Sequence, residues 1–228
     1  MADQPITLSV APGIDVAVKR SRQARRLSLR VSSLDGRVTL TLPRHVGTAE
    51  ARAFAEERSD WIAQALAQVP SQIKVRIGIE LPVEGWPFRL ESGLRARLMP
   101  GYMVVPEDRA GAAARGLLRT LAHDRLVSAA DRYAAEVGRP YAAISLRDTR
   151  SRWGSCTSER RLMFSWRLAM APPEILDYVA AHEVAHLVHM DHSRAFWALV
   201  GDLCPKWRDH RDWLRSDGPD LHRYSFGD

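Results

Sequence analysis

Eleven residues from His182 to His192 read H-E-V-A-H-L-V-H-M-D-H and hold four of the chain's eight histidines. On a helix, His182 and His186 stand one turn apart on one face, roughly 5–6 Å between Cβ atoms. That spacing lets two imidazoles reach one zinc ion at about 2.0–2.1 Å each. Glu183 projects beside such an ion rather than onto it, placed to accept a proton from a metal-activated water. A closed structural site fills four positions with protein; a catalytic site keeps one for water. A helix carrying a metal is therefore the element around which the rest must be arranged.

A third protein ligand is required. His189 shares the helical face but lies about 10.5 Å along the axis from His182 at 1.5 Å per residue. Three side chains in such a line converge poorly. His192 follows Met190-Asp191, where the chain can leave the helix and fold back. Ligand geometry therefore favours His192 over His189, with Asp202 a weaker third choice. A bare H-E-x-x-H arises by chance in on the order of one average chain per hundred of this length. His192, at the spacing of H-E-x-x-H-x-x-G-x-x-H enzymes, makes two unrelated surface histidines a poor reading. The glycine of that pattern is replaced by His189 and no Met-turn is evident, so a zinc site is expected without a metzincin assignment.

The 228 residues, 46% hydrophobic and 26% charged, are ordinary for a globular protein and can bury a substantial core. No apolar run approaches the roughly 18 residues of a membrane span. No signal peptide is expected from the start MADQPITLSVAPGIDV. Cys156 and Cys204 make no disulfide framework and read as two reduced thiols in a cytoplasmic protein. The formal charge of +6 comes almost wholly from arginine, the lysines being Lys19, Lys74 and Lys206. Replacement of Lys by Arg in a GC-rich genome is the first reading of that bias, and nucleic acid as a partner is the second.

Residues 5–10 and 14–20 alternate weakly, as strands do. Leu27, Leu29 and Val31, then Asp35-Gly36, then Val38, Leu40 and Leu42 predict a β-hairpin with one buried face. Its other face carries Arg26, Arg30 and Arg37, and with Arg20, Arg22 and Arg25 these form a basic cluster. A solvated face is its default reading and a phosphate-binding surface the sharper one. Thr48 suits a helix N-cap, Phe54 to Val69 follow at helical spacing, and Pro70 stops the helix. Residues 79–106 read as a meander turning at Glu84-Gly85, with Leu94 to Leu98 as one of its strands. A long helix follows, with Leu118, Ala122, Leu126, Ala129, Tyr133 and Val137 on one stripe and Gly138 and Pro140 at its end. The domain boundary is drawn near Pro106. It separates a β-rich region with one helix, 1–106, from a catalytic region, 107–228, a single compact unit being the alternative.

Residues 143–148 and 160–168 read as strands flanking the polar loop D-T-R-S-R-W-G-S-C-T-S-E-R. There Gly154 marks a tight or closely approached backbone, and Trp153 packs on the core in the plainest reading. Pro172-Pro173 starts the metal helix, whose buried stripe is Leu176, Ala180, Val184 and Leu187. Two further helices are expected around Phe196 to Val200 and from Trp207 to Leu214. His210 and His222 are read as surface residues, and nothing marks Cys156 as an activated nucleophile.

R-W-G-S-C at 152–156, H-E-V-A-H at 182–186 and M-D-H-S-R-A-F-W at 190–197 together resemble the YgjP-like zinc metallopeptidases, relatives of the SprT-like proteins. The likeness runs from about Arg20 to about Leu214 and includes W-R-L-A-M-A-P-P-E-I-L-D-Y-V at 166–179. It implies an α+β fold with a zincin-like core, zinc held by His182, His186 and His192, and Glu183 as catalytic acid and base. Asp191 stands where many relatives have Asn. The expected activity is peptide-bond hydrolysis on a peptide or protein substrate, with no membrane partner. Substrate is expected to lie extended beside the strand at Trp153, Gly154 and Ser155. Arg152 and Tyr178 are candidates to stabilise the oxyanion. The alternatives are a SprT-like protease acting on DNA-bound proteins and a non-catalytic zinc scaffold.

Overall fold

A computed structural model describes residues 6–32 and 34–227. The chain packs as two compact units that divide between Gln72 and Ile73. The compositional change near Pro106 therefore falls inside the second unit.

The first unit holds β1 (Ile6–Ala11), β2 (Ile14–Ser21), β3 (Ser28–Val31), β4 (Val38–Pro43), α1 (Thr48–Glu56) and α2 (Ser59–Ala67). Its sheet has the order β1-β2-β4-β3, with β2 and β4 parallel. The hairpin at Asp35-Gly36 is formed, Leu29 facing Leu40 and Val31 facing Val38. Val38, Leu40 and Leu42 are buried against Ala51, Ala55 and Ile62 of the helices. Gly47, not Thr48, is the N-cap, and the helical spacing from Phe54 to Val69 is split between two helices. Among the clustered arginines, Arg20 donates to the carbonyls of Arg44 (3.3 Å) and Val46 (2.9 Å). Arg22, Arg25, Arg26, Arg30 and Arg37 are exposed.

The second unit opens with β5 (Ile73–Lys74), β6 (Glu80–Val83), β7 (Trp86–Ser92), β8 (Arg97–Met99) and β9 (Tyr102–Val105). Glu84 and Gly85 both have positive φ, 49° and 82°, and make the tight turn that the sequence signals there. The sheet is not a simple meander. Its order is β6-β7-β9-β8, with β7 and β9 parallel, and Leu94 is 95% exposed in the connection before the short β8.

Next come α3 (Ala110–Glu136), β10 (Ala143–Arg147), β11 (Gly154–Cys156), β12 (Arg161–Ser165), α4 (Pro173–Ala185), α5 (Arg194–Leu203), α6 (Trp207–Ser216) and β13 (Tyr224–Ser225). α3 buries Leu118, Ala122, Leu126, Ala129 and Tyr133, and Gly138 takes φ 64° just beyond its end. β10 and β12 pair parallel and β11 adds antiparallel to β12, which leaves β11 outermost in the order β10-β12-β11. The strand expected over 160–168 stops at Ser165. Trp166–Met170 is a wholly buried 3-10 turn, which a run of apolar residues does not distinguish from a strand. The result is a mixed α and β architecture with its strands concentrated toward the N-terminus. None of the described helices is long and apolar enough to cross a membrane.

Arg167, the one charge in the apolar run W-R-L-A-M, is buried and ties distant segments together. Its Nε and Nη2 grip Asp148 at 2.7 and 3.1 Å, and its Nη1 donates to the carbonyls of Leu221 (2.8 Å) and Tyr224 (3.0 Å). Arg167→Met would keep the volume but strand four acceptor atoms, two of them the oxygens of one carboxylate. It is expected to cost about 3 kcal/mol, read from the shift of the denaturant midpoint.

Candidate metal centre

α4 is the scaffold of the site. Pro173 pre-sets its first turn. Ile175, Leu176, Val179, Ala180, Ala181, Val184 and Ala185 are all buried, so the helix is enclosed on most sides rather than along a single stripe. Asp177 accepts hydrogen bonds from Arg132 and Tyr133, which fastens α4 to α3.

The helix ends at Ala185, and this decides which histidines converge. Leu187, Val188 and His189 form a closing turn, their amides bonded to the carbonyls of Val184 and Ala185. His189 is thereby removed from the helical face. Its carbonyl instead takes His186 Nδ1 at 2.9 Å. A carbonyl can only accept, so Nδ1 carries the proton and Nε2 keeps its lone pair for another partner. After the turn, Asp191 Oδ1 accepts from the Ser193 amide, and Ser193 Oγ accepts from Phe196 to start α5. His192 sits on this fold-back.

One ring nitrogen from each of His182, His186 and His192 lies within 4.8 Å of the others. His192 Nε2 and His182 Nε2 are 3.3 Å apart. Two donors about 2.0–2.1 Å from a tetrahedral ion are separated by about 3.3–3.4 Å, so the pair has ligand spacing. His182 Nδ1 is buried and has no hydrogen-bond partner among the described residues. Burial, reinforced by the two neighbouring imidazoles, pushes His182 down to about 3, the neutral form that a metal needs. Phe196 underlies the cluster, stacked on His186 at 4.4 Å and edge-on to His182 and His192 at 5.0 and 4.9 Å. Asp202, exposed on α5, is not among the converging groups. The donor set, three imidazoles, fits a borderline-soft divalent ion.

Glu183, next in sequence to His182, packs against β11. It is buried at 5% exposure. A Cβ on Gly154 would lie 2.5 Å from its Oε1 and 2.8 Å from its Cδ. The backbone approach expected at Gly154 is thus an approach to this carboxylate. Burial pushes Glu183 up to about 8, against the pull of Arg152. In metal-free protein this has a sign that can be checked. The ordinary value is 4.5, so between 4.5 and about 8 the folded state holds a proton that the unfolded state has lost, and stability falls as pH rises through that window. Metal-free Glu183→Gln should therefore melt above metal-free wild type near about pH 9 and alongside it near about pH 4, in thermal scans run with chelator.

Trp153 is half-buried, with its ring 5.2 Å from His222 and close against Gly218. His222 is accordingly not a surface residue; it is 8% exposed, covered by that indole. Ser155 faces Met163 across the strand pair, on the side of β11 opposite to Gly154. Arg152 is exposed in the loop before β11. Tyr178 lies one turn before His182 on α4, its ring 6.0 Å from His182 and 6.1 Å from His210. Burial drives its hydroxyl up to about 12, so it keeps its proton and is able to donate at neutral pH. Cys156 is pushed up to about 11, by burial first and Glu183 second, which leaves it an inert thiol.

A protein-family model described as YgjP-like, metallopeptidase domain, matches residues 25–217. No curated protein and no solved structure matches the chain.

Proposed function

The chain belongs to the YgjP-like metallopeptidase family, and from that premise we propose that it is a zinc-dependent peptidase with a zincin-like core. His182, His186 and His192 are its ligands and Glu183 is its general base. The observation that carries this reading is the ligand spacing of three imidazoles, with a buried carboxylate next in sequence to the first of them.

Bound zinc supplies Lewis acidity and lowers the pKa of a water toward about 7. The protein's own groups do the rest. Glu183 takes the proton of the attacking water and hands it to the leaving amine as the peptide bond breaks. An acceptor whose pKa is raised toward neutrality suits both transfers. β11, outermost in its sheet, offers main-chain groups for an extended peptide to pair with. Gly154, lacking a side chain, lets that edge lie against Glu183. Arg152 and the protonated Tyr178 are the candidates to face the developing oxyanion.

Metal content by mass spectrometry and hydrolysis of a mixed peptide library test this together. Wild type should carry one zinc per chain and cleave the library, with activity lost in chelator and restored by zinc. His192→Ala should be recovered without zinc and without activity. Wild type that takes up no zinc removes the proposal. Zinc-loaded protein that leaves every peptide intact reduces the site to a non-catalytic scaffold.

A further inference from the structure

We propose that the outer face of the β10-β12-β11 sheet is a subsite for acidic side chains, read at every second residue of an extended substrate. The proposal rests on the peptidase reading and names the class of peptide it serves.

The register defines two faces. Ser145, Met163 and Ser155 lie abreast across the three strands, and alternation adds Arg147 and Arg161 to the same side. Leu146, Phe164 and Gly154 lie abreast on the opposite face, the one turned to the core and Glu183. The loop between β10 and β11 adds Arg150 and Arg152 to the lining. Together they line a groove of about 550 Å³ that carries four guanidiniums and the hydroxyls of Ser155 and Thr157. No carboxylate is among the lining residues. Glu159 stands 3.7 Å from Arg161, with both side chains largely exposed, a pairing too weak to cancel the groove's charge. Single-sign walls of this kind concentrate positive potential where a ligand would lie.

β11 is the outer strand, so a peptide added along it turns alternate side chains to the Glu183 face and to the groove. Carboxylates on the groove-facing set meet the arginines. A peptide fits better than a nucleic acid, because the groove runs beside an edge that offers main-chain pairing and no aromatic side chain lines it for base stacking.

Binding can be read without turnover, by fluorescence anisotropy on zinc-loaded Glu183→Gln at low salt. The probes are a labelled decapeptide with Glu at alternate positions, its Gln counterpart, and a short single-stranded oligonucleotide. The Glu peptide should bind about tenfold tighter than the Gln peptide, several exposed ion pairs adding modestly. The preference should disappear in the Arg147→Gln, Arg161→Gln double variant. Equal binding of the two peptides, a preference that survives the double variant, or an oligonucleotide that outcompetes the Glu peptide would each overturn the subsite. Cleavage by wild type separates the two ideas: Glu and Gln peptides cut alike removes the subsite and leaves the peptidase. Selective binding with no peptide cut removes the peptidase and leaves an acid-binding groove.

Discussion

Glu183→Gln is expected to keep its metal and to lose turnover by about 10²–10⁴-fold, the range that a positioned general base contributes. The substitution is close to isosteric, which matters for a side chain 5% exposed on a helix enclosed by its neighbours. The amide fills the carboxylate's place against Gly154 but takes up no proton from water. The three histidines are untouched, so metal stoichiometry should match wild type while kcat falls. Loss of metal in this variant would make Glu183 part of the ion's own coordination. Turnover close to wild type would place the base elsewhere.

Gly154→Ala should lower kcat by about 10²-fold, the scale of an ångström's misplacement of a catalytic group, with metal retained. The added methyl would stand 2.5 Å from Glu183 Oε1 and 2.6 Å from its Cγ. Those atoms belong to a side chain that can swing aside, so the fold absorbs the change by moving Glu183. The damage is therefore expected in kcat and not in the melting temperature. Gly154→Val should be worse in the same direction. If metal and turnover disappear together, the methyl has disrupted the whole centre, and the idea that Gly154 seats the base is lost. Melting curves and zinc content measured on the same preparations distinguish the two results.

The sequence carried those features that depend on local spacing. His182 and His186 follow from helical geometry, and the preference for His192 over His189 follows from asking which side chain can fold back. The helix termination that removes His189, and the use of its carbonyl by His186, depend on a turn with no marked sequence signature. Gly154 is legible as a point of close approach, but its partner lies 29 residues away in sequence and is fixed only by packing. His222 sits in a short polar stretch without periodicity, and its contact with Trp153, 69 residues earlier, is fixed only by packing. Arg167 had a signal, a lone charge among apolar residues, since such a charge needs buried partners. Strand direction was the weakest point: alternation predicts a half-buried strand without saying whether β7 meets β9 parallel or antiparallel.

The stretch of chain that resembles its family and the stretch that folds are not the same length. The match begins at residue 25, yet β2, which ends at Ser21, lies inside its sheet between β1 and β4. It ends at residue 217, yet beyond that point Leu221 and Tyr224 supply acceptors to Arg167, His222 covers Trp153, and Phe226 packs edge-on against Trp166 at 5.1 Å. A protein trimmed to the family's borders would keep every histidine of the metal centre. It would nonetheless lose an interior strand from one unit and, from the other, the cover over the tryptophan that precedes Gly154. Heredity marks out the chemistry here, but the boundaries of the folded object have to be read from its hydrogen bonds.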